Sequence, residues 1–363
     1  MNGGEEQVMN GGEERGVHDG EELDVNDGEE LDVNGEGERG VHYKERVMDG
    51  GEERDVDGRG GTSREGRGGA GMIVVTGASG NAGSQVVRAL AARGERVRAF
   101  VRDPGRARQV LGEDAELAVG DFADAASVRA ALEGADALLL SCADDPRRVG
   151  WETAAIDAAV AVGVRRIVKL SAAAAEPGSP VAFWDWHGQV EQYLRAFGAG
   201  WVILRSGWYM SNLLAAASPV AAEGRLYAPA GEAQIAMIDP RDVGAVAAAV
   251  LSNPGHEGQT YLLTGPRAIT YAEVAAGLSA ATASTVEFVD VPGDAARQAM
   301  IGDGMPGFVA DQIVRMFGML RLGVAAQVSP DVEMLTGSAP RDFASFARDH
   351  ARLFAPTPAT ARR

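Results

Sequence analysis

Met72-Ile-Val-Val-Thr76 is a short apolar run, and Gly77-Ala-Ser-Gly-Asn-Ala-Gly83 follows it at once. A β-branched run of this length reads as a strand of a parallel sheet covered on both faces. Gly77, Gly80 and Gly83 recur at intervals of three. They let the backbone turn tightly and approach a diphosphate closely, with its charge facing the start of the next helix. That helix is expected from about Ala82 to Arg93, closed by Gly94. A glycine triplet alone is a weak signal. Placed straight after a strand, opening a helix and heading a repeated strand-helix pattern, it reads as the phosphate loop of a dinucleotide site. The expected contacts are Gly77, Ser79, Gly80, Asn81, Ala82 and Gly83.

Outward from the loop, Val/Ile/Leu runs alternate with Ala-rich stretches. Strands are expected at Arg96 to Val101, Glu116 to Val119, Ala137 to Ser141, Arg166 to Ser171, Trp201 to Arg205 and Thr260 to Leu263. Helices are expected near 124–132, 151–162, 185–197, 241–251 and 271–281. This alternation predicts an α/β, doubly wound parallel-sheet Rossmann fold. Pro240 before Arg241, and the Thr270-Tyr-Ala-Glu273 capping-box spacing, give two helix starts a local cause. The Met- and Phe-rich stretch beyond Pro292, through Leu320, reads as helices closing over a site.

Of the 363 residues, the first 70 stand apart. They hold 21 acidic and 8 basic residues, a net of −13, so the rest carries −18 − (−13) = −5. Repeats such as Asp19-Gly-Glu-Glu-Leu-Asp-Val-Asn26 and Asp27-Gly-Glu-Glu-Leu-Asp-Val-Asn34 make residues 1–71 an acidic, low-complexity tail, expected to be disordered. The alternative is an over-extended gene start, with translation beginning at Met72. The mildly acidic remainder offers no basic stripe for a nucleic-acid backbone. Cys142, the single cysteine, cannot close an intramolecular disulfide, so a cytoplasmic protein is expected. Apolar runs short of the ~20 residues of a membrane span imply no membrane insertion.

Where the second strand ends, an NAD site usually places an acidic residue; here the order is Phe100-Val-Arg-Asp-Pro104. The Arg102 guanidinium suits a 2′-phosphate, so NADPH is the expected cofactor, with NADH left open. Arg106 or Arg108 can assist, and Asp103 before Pro104 organises the turn. Asp121, after Gly120, suits the adenine amino group or a helix cap, with Phe122 beside the ring. Ser141 and Cys142 end the fourth strand beside the expected nicotinamide ribose, and Cys142 reads as structural.

Further segments carry a resemblance: Val97-Arg-Ala-Phe-Val-Arg-Asp-Pro104, Gly120-Asp-Phe122, Ile167-Val-Lys-Leu-Ser171, Trp186-His-Gly-Gln-Val-Glu191, Ile203-Leu-Arg-Ser-Gly-Trp-Tyr-Met210, Ile238-Asp-Pro-Arg-Asp-Val243 and Tyr261-Leu-Leu-Thr-Gly-Pro266. With the glycine loop, they make residues 72–355 resemble the NmrA-like branch of the atypical short-chain dehydrogenases/reductases. The resemblance implies a Rossmann domain with a smaller C-terminal substrate-binding region, its substrate side mainly 176–240 and 290–355. It implies relatives ranging from NADPH-dependent quinone, azo-dye or alkene reductases to cofactor-sensing regulators. Typical relatives carry a Tyr and, four residues on, a Lys; here those positions hold Phe183 and His187. Phe183 cannot donate a proton. His187, near its ordinary pKa of about 6.5, and Tyr209 are the expected donors. Phe183, Trp184, Trp186, Trp208 and Tyr209 form the expected aromatic pocket, and Asn212 is placed to bond a carbonyl. Arg205, Asp239 and Asp242 read as structural. Neither metal-ligand spacing nor a nucleophile elbow is present. The expected activity is hydride transfer from NADPH to a small electron-poor acceptor such as a quinone. The alternative is a cofactor-sensing regulator acting through a protein partner.

Overall fold

Seven parallel strands form the central sheet of the computed structural model, which describes residues 71–196 and 200–356. In chain order the elements are β1 (Met72–Val75), α1 (Asn81–Ala92), β2 (Arg96–Val101), α2 (Pro104–Leu111), β3 (Glu116–Val119), α3 (Ala125–Leu132), β4 (Ala135–Leu140), α4 (Arg148–Ala161), β5 (Arg166–Ala172), α5 (Ala182–Ala196) and β6 (Gly200–Ser206). There follow α6 (Ala217–Glu223), β7 (Arg225–Ala228), α7 (Pro240–Ser252), β8 (Gln259–Leu263), α8 (Tyr271–Thr282), β9 (Glu287–Asp290), α9 (Gly293–Gly302) and α10 (Gly307–Arg321), then the short helices α11 (Asp331–Thr336), α12 (Phe343–Asp349) and α13 (Ala351–Phe354). The sheet order is β3-β2-β1-β4-β5-β6-β8. The winding direction reverses between β1 and β4, and a crevice opens at that point beyond the strands' carboxyl ends. The fold is therefore the doubly wound α/β Rossmann type. The expected tail, 1–71, lies outside the described residues except for Gly71, as does residue 197 at the end of the helix expected there.

The central strands are buried on both faces, because helices cover both: α1 and α7 pack on one side, α3, α4 and α5 on the other. Val74, Leu138, Ile167 and Ile203 fill the second interface. Val75, Leu139, Val168 and Val202 fill the first. The expected elements are present with shifted ends. Helix α4 begins three residues before the expected start at 151, and α5 begins at Ala182 rather than 185. Thr270 and Glu273 form both capping-box hydrogen bonds, and Asp239 caps α7 by accepting from Arg241 N at 2.8 Å.

Two features depart from the expected pattern. Asp103 does more than shape a turn: it caps α2, accepting from Arg106 N at 3.0 Å, with Pro104 in the first turn. A second, two-stranded parallel sheet joins β7 to β9. It belongs to a C-terminal cluster that includes Met210, Leu226, Ile235, Tyr271, Phe317 and Phe346. Helix α10 is tied to the first turn of α5, where Ala182 N donates to Gln312 Oε1 at 2.7 Å. That bond holds the C-terminal region against the carboxyl end of the sheet.

Candidate functional site

The glycine loop is built for close approach. Gly77 sits at φ +62°, where L side chains are strained, and a Cβ at Gly83 would lie 2.2 Å from Gly77 O. Thr76 ties the loop to the end of β4, receiving Ser141 N at 2.8 Å and donating to Ser141 O at 2.9 Å. Helix α1 starts at Asn81 behind the N-cap Gly80, which offers no side-chain cap. Its first-turn N–H groups are left for an anion, which fits the diphosphate of a dinucleotide. Ala82 and Gly83 are buried, so only their backbones can contribute, while Asn81 is exposed and Ser79 half-buried.

Around the loop, Arg102 is exposed and makes no hydrogen bond or ion pair among the described residues. Arg108 is occupied, donating to Glu113 O and pairing with its carboxylate at 3.7 Å. Asp121 Oδ1 accepts from Ala123 N at 2.8 Å, and the cap of α3 is Asp124 rather than Asp121. Phe122 stands edge-on to Phe100 at 5.6 Å. Cys142 is half-buried, and burial pushes its thiol up to about 11, so it is not a thiolate at neutral pH.

A cavity of about 1420 Å³ opens beside the loop. This exceeds the ~300–1,000 Å³ of a single small-molecule pocket, leaving room for the end of a cofactor together with a second ligand. Asn81, Ser141 and Cys142 line it at the loop end; Phe183, Trp184, His187, Trp208, Tyr209 and Asn212 line it further in. Segment 208–210 is held there by pairing with Ile238, which donates to Trp208 O and accepts from Met210 N, both at 2.9 Å. Trp186 does not join the cavity wall: it stacks on Phe308, ring centroids 5.9 Å apart. Ala296, Met300, Ile313 and Met316 of α9 and α10 close the far side.

A buried ionic cluster that the sequence motifs did not mark lies under this cavity. Lys169, on β5, is fully buried, and its Nζ donates to Glu152 Oε1 at 3.1 Å, to Leu170 O at 2.6 Å and lies 3.3 Å from His187 Nδ1. Arg148 donates to Glu152 Oε2 at 3.2 Å and to Asp144 at 2.7 Å. Burial raises the Glu152 carboxyl, but Arg148 and Lys169 more than offset this and leave it below its usual range. Burial brings the Lys169 ammonium down to about 8. His187 lies well below its ordinary 6.5, through burial and then the cations of Arg148, Lys169 and Arg205. The expectation of an unperturbed imidazole is corrected: the ring is neutral near pH 7. Burial raises the Tyr209 hydroxyl, which receives Ser206 Oγ at 3.0 Å. Two signals pointed to the cluster: a lysine inside Ile167-Val-Lys-Leu-Ser171, which must be paired if that strand is central, and the Arg148/Glu152 spacing of four.

Arg205 is structural, donating to buried Glu191 at 2.7 Å, while Ser171 Oγ donates to the same carboxylate at 2.6 Å. Asp242 accepts from Arg341 N at 2.7 Å. Among the described residues no His, Cys, Asp and Glu group could hold a metal ion, and no helix is long and apolar enough to cross a membrane.

Residues 70–341 match the model of the NmrA-like family. An NAD(P)H azoreductase of Xenophilus azovorans is 38% identical over 283 residues, 78% of this chain and 99% of that protein. A (4-alkanoyl-5-oxo-2,5-dihydrofuran-3-yl)methyl phosphate reductase of Streptomyces griseus is 39% identical over 286 residues, 78% of this chain and all (100%) of that one. Among solved structures, the NADPH-dependent quinone oxidoreductase of Escherichia coli in complex with NADPH superposes with a TM-score of 0.70 at 30% identity, over 77% of this chain and 99% of that one.

Proposed function

Because the chain belongs to the NmrA-like family, we propose that it is an NADPH-dependent reductase passing hydride to a small, flat, electron-poor acceptor such as a quinone. The observation that carries this reading is the continuity of one cavity from Asn81, Ser141 and Cys142 to the aromatic wall of Phe183, Trp184, Trp208 and Tyr209. Bound NADPH supplies the hydride. Backbone N–H groups of the loop from Gly77 to Gly83 hold the diphosphate, and the free guanidinium of Arg102 takes the 2′-phosphate. Asp121 and Phe122 meet the adenine end, while Ser141 and Cys142 flank the nicotinamide ribose. Aromatic faces orient the acceptor and exclude water, and Asn212 bonds its outer carbonyl. The anion formed from a quinone is stabilised by a neutral hydrogen-bond donor and needs no strong acid to be protonated, so Phe183 in place of a tyrosine is tolerated. With a neutral imidazole and a raised phenol pKa, His187 and Tyr209 act as hydrogen-bond donors at neutral pH.

Steady-state NADPH oxidation across quinones, azo dyes and saturated ketones tests this reading. Turnover that depends on flat acceptors and fails with saturated ketones is expected. Tight NADPH binding with no oxidation by any acceptor would instead support the regulator, the reading that Phe183 in place of a proton donor favours.

A further inference from the structure

Lys169 is a large fully buried side chain, yet it carries a charge. Its ammonium has three protons and faces three acceptors: Glu152 Oε1, Leu170 O and His187 Nδ1, at 3.1, 2.6 and 3.3 Å. A lysine ammonium donates and cannot accept. The bond to Nδ1 therefore needs a lone pair on that nitrogen, and the ring proton of a neutral His187 then sits on Nε2. His187 lines the cavity; Lys169 does not. A cation four residues after Phe183 would stand at position 187, and here the neighbouring strand supplies it from beneath that residue.

We propose that Lys169 is a positioning residue for the reductase reaction above, on which this inference rests: it holds His187 as the Nε2–H tautomer, donor to the acceptor oxygen, and refills the proton that His187 gives up. Once the acceptor has been reduced, its anionic oxygen takes the Nε2 proton as a new O–H bond forms. Nδ1 takes a proton from Lys169 Nζ in the same movement, leaving a neutral imidazole with its proton on Nδ1 and a neutral amine. Cavity solvent then protonates Nε2, and Nδ1 returns its proton to the amine, so each cycle consumes one solvent proton.

The surroundings suit this role. Arg148 and Glu152 from α4 and Arg205 from β6 surround the pair, with the Cys142 thiol beyond β4, and Arg148 links them to the Asp144 carboxylate and the Tyr209 phenol. The cations oppose protonation of His187 to an imidazolium. Burial leaves the Lys169 ammonium near 8, low enough to release a proton and be recharged near neutrality. A lysine that merely neutralised Glu152 would need no contact with a cavity-lining ring.

The experiment is long-range ¹⁵N–¹H correlation of the His187 ring in the full chain, wild type and Lys169→Met, with acceptor-dependent NADPH oxidation measured across pH. The wild type is expected to show a single Nε2–H tautomer on both sides of the ordinary histidine pKa of about 6.5, and a kcat that falls above about pH 8. Lys169→Met is expected to mix the tautomers, to lower kcat about 100-fold with KM little changed, and to lose the alkaline limb. A wild-type ring protonated on Nδ1 overturns the proposal, as does a variant that keeps the tautomer and kcat. Should Lys169→Met fail to fold, the wild-type tautomer still decides. Absence of turnover with every acceptor overturns the reductase reading and the relay with it; an Nδ1–H ring with turnover intact overturns the role of Lys169 alone.

Discussion

Arg102 and Glu152 show how differently a charged side chain behaves free and buried. Arg102 is exposed at the end of β2 and makes no ion pair among the described residues, so removing it leaves nothing stranded. Arg102→Ala is expected to weaken NADPH binding about 10- to 100-fold, the value of a charge-assisted bond of about 1.5–3 kcal/mol. NADH binding should hardly change; paired fluorescence titrations check this. Glu152 is fully buried between Arg148 and Lys169. Glu152→Ala leaves the buried Lys169 ammonium without a carboxylate partner and Arg148 with Asp144 alone, and should cost about 3–5 kcal/mol in urea unfolding. Arg102 was legible because a strand end and a following Asp-Pro mark its place. The partners of Lys169 were not, since Glu152 is 17 residues away in sequence and only the packing of α4 on β5 brings the two together.

At the scale of elements, the glycine loop and the α4/β5/α5 junction carry the sharpest expectations. A Cβ at Gly83 would meet Gly77 O and C, at 2.2 and 2.8 Å, both backbone atoms that cannot swing aside. Gly83→Ala should therefore displace α1 from the loop, costing about 1–3 kcal/mol by calorimetry and abolishing NADPH binding. The α4/β5/α5 junction gives a pH signature. His187 titrates well below 6.5 when folded and near 6.5 when unfolded, so below 6.5 the unfolded chain holds the extra proton. Stability is then lost as pH falls below 6.5, at up to about 1.4 kcal/mol per unit, and His187→Asn should flatten that limb. Lys169 titrates near 8 when folded against 10.5 unfolded, so its contribution makes stability rise with pH across that window. Strand positions were legible from apolar runs. The four-residue β7 and β9 were not: β7 alternates exposed and buried positions, β9 has no buried one, and both become strands by pairing with each other beside the C-terminal cluster.

For the whole molecule, the doubly wound sheet places its crevice between β1 and β4, and the C-terminal helices turn that crevice into a cavity. The first half of this arrangement follows from one loop and a repeated pattern. The second half was legible only as a Met- and Phe-rich stretch closing over a site; the contacts that seat it, such as Gln312 with Ala182, are long-range and local sequence does not encode them. This is also why Trp186, grouped with the pocket by proximity in sequence, turns instead to Phe308. The proposed reaction is hydride transfer from NADPH to a flat acceptor within this cavity. Its most direct test is a single turnover with the full chain in excess over NADPH, followed by the near-ultraviolet absorbance of the reduced nicotinamide before and after a quinone is added. On this reading the signal is stable without acceptor and is lost completely and stoichiometrically on its addition. A signal that persists with every acceptor, while NADPH stays bound, would contradict it.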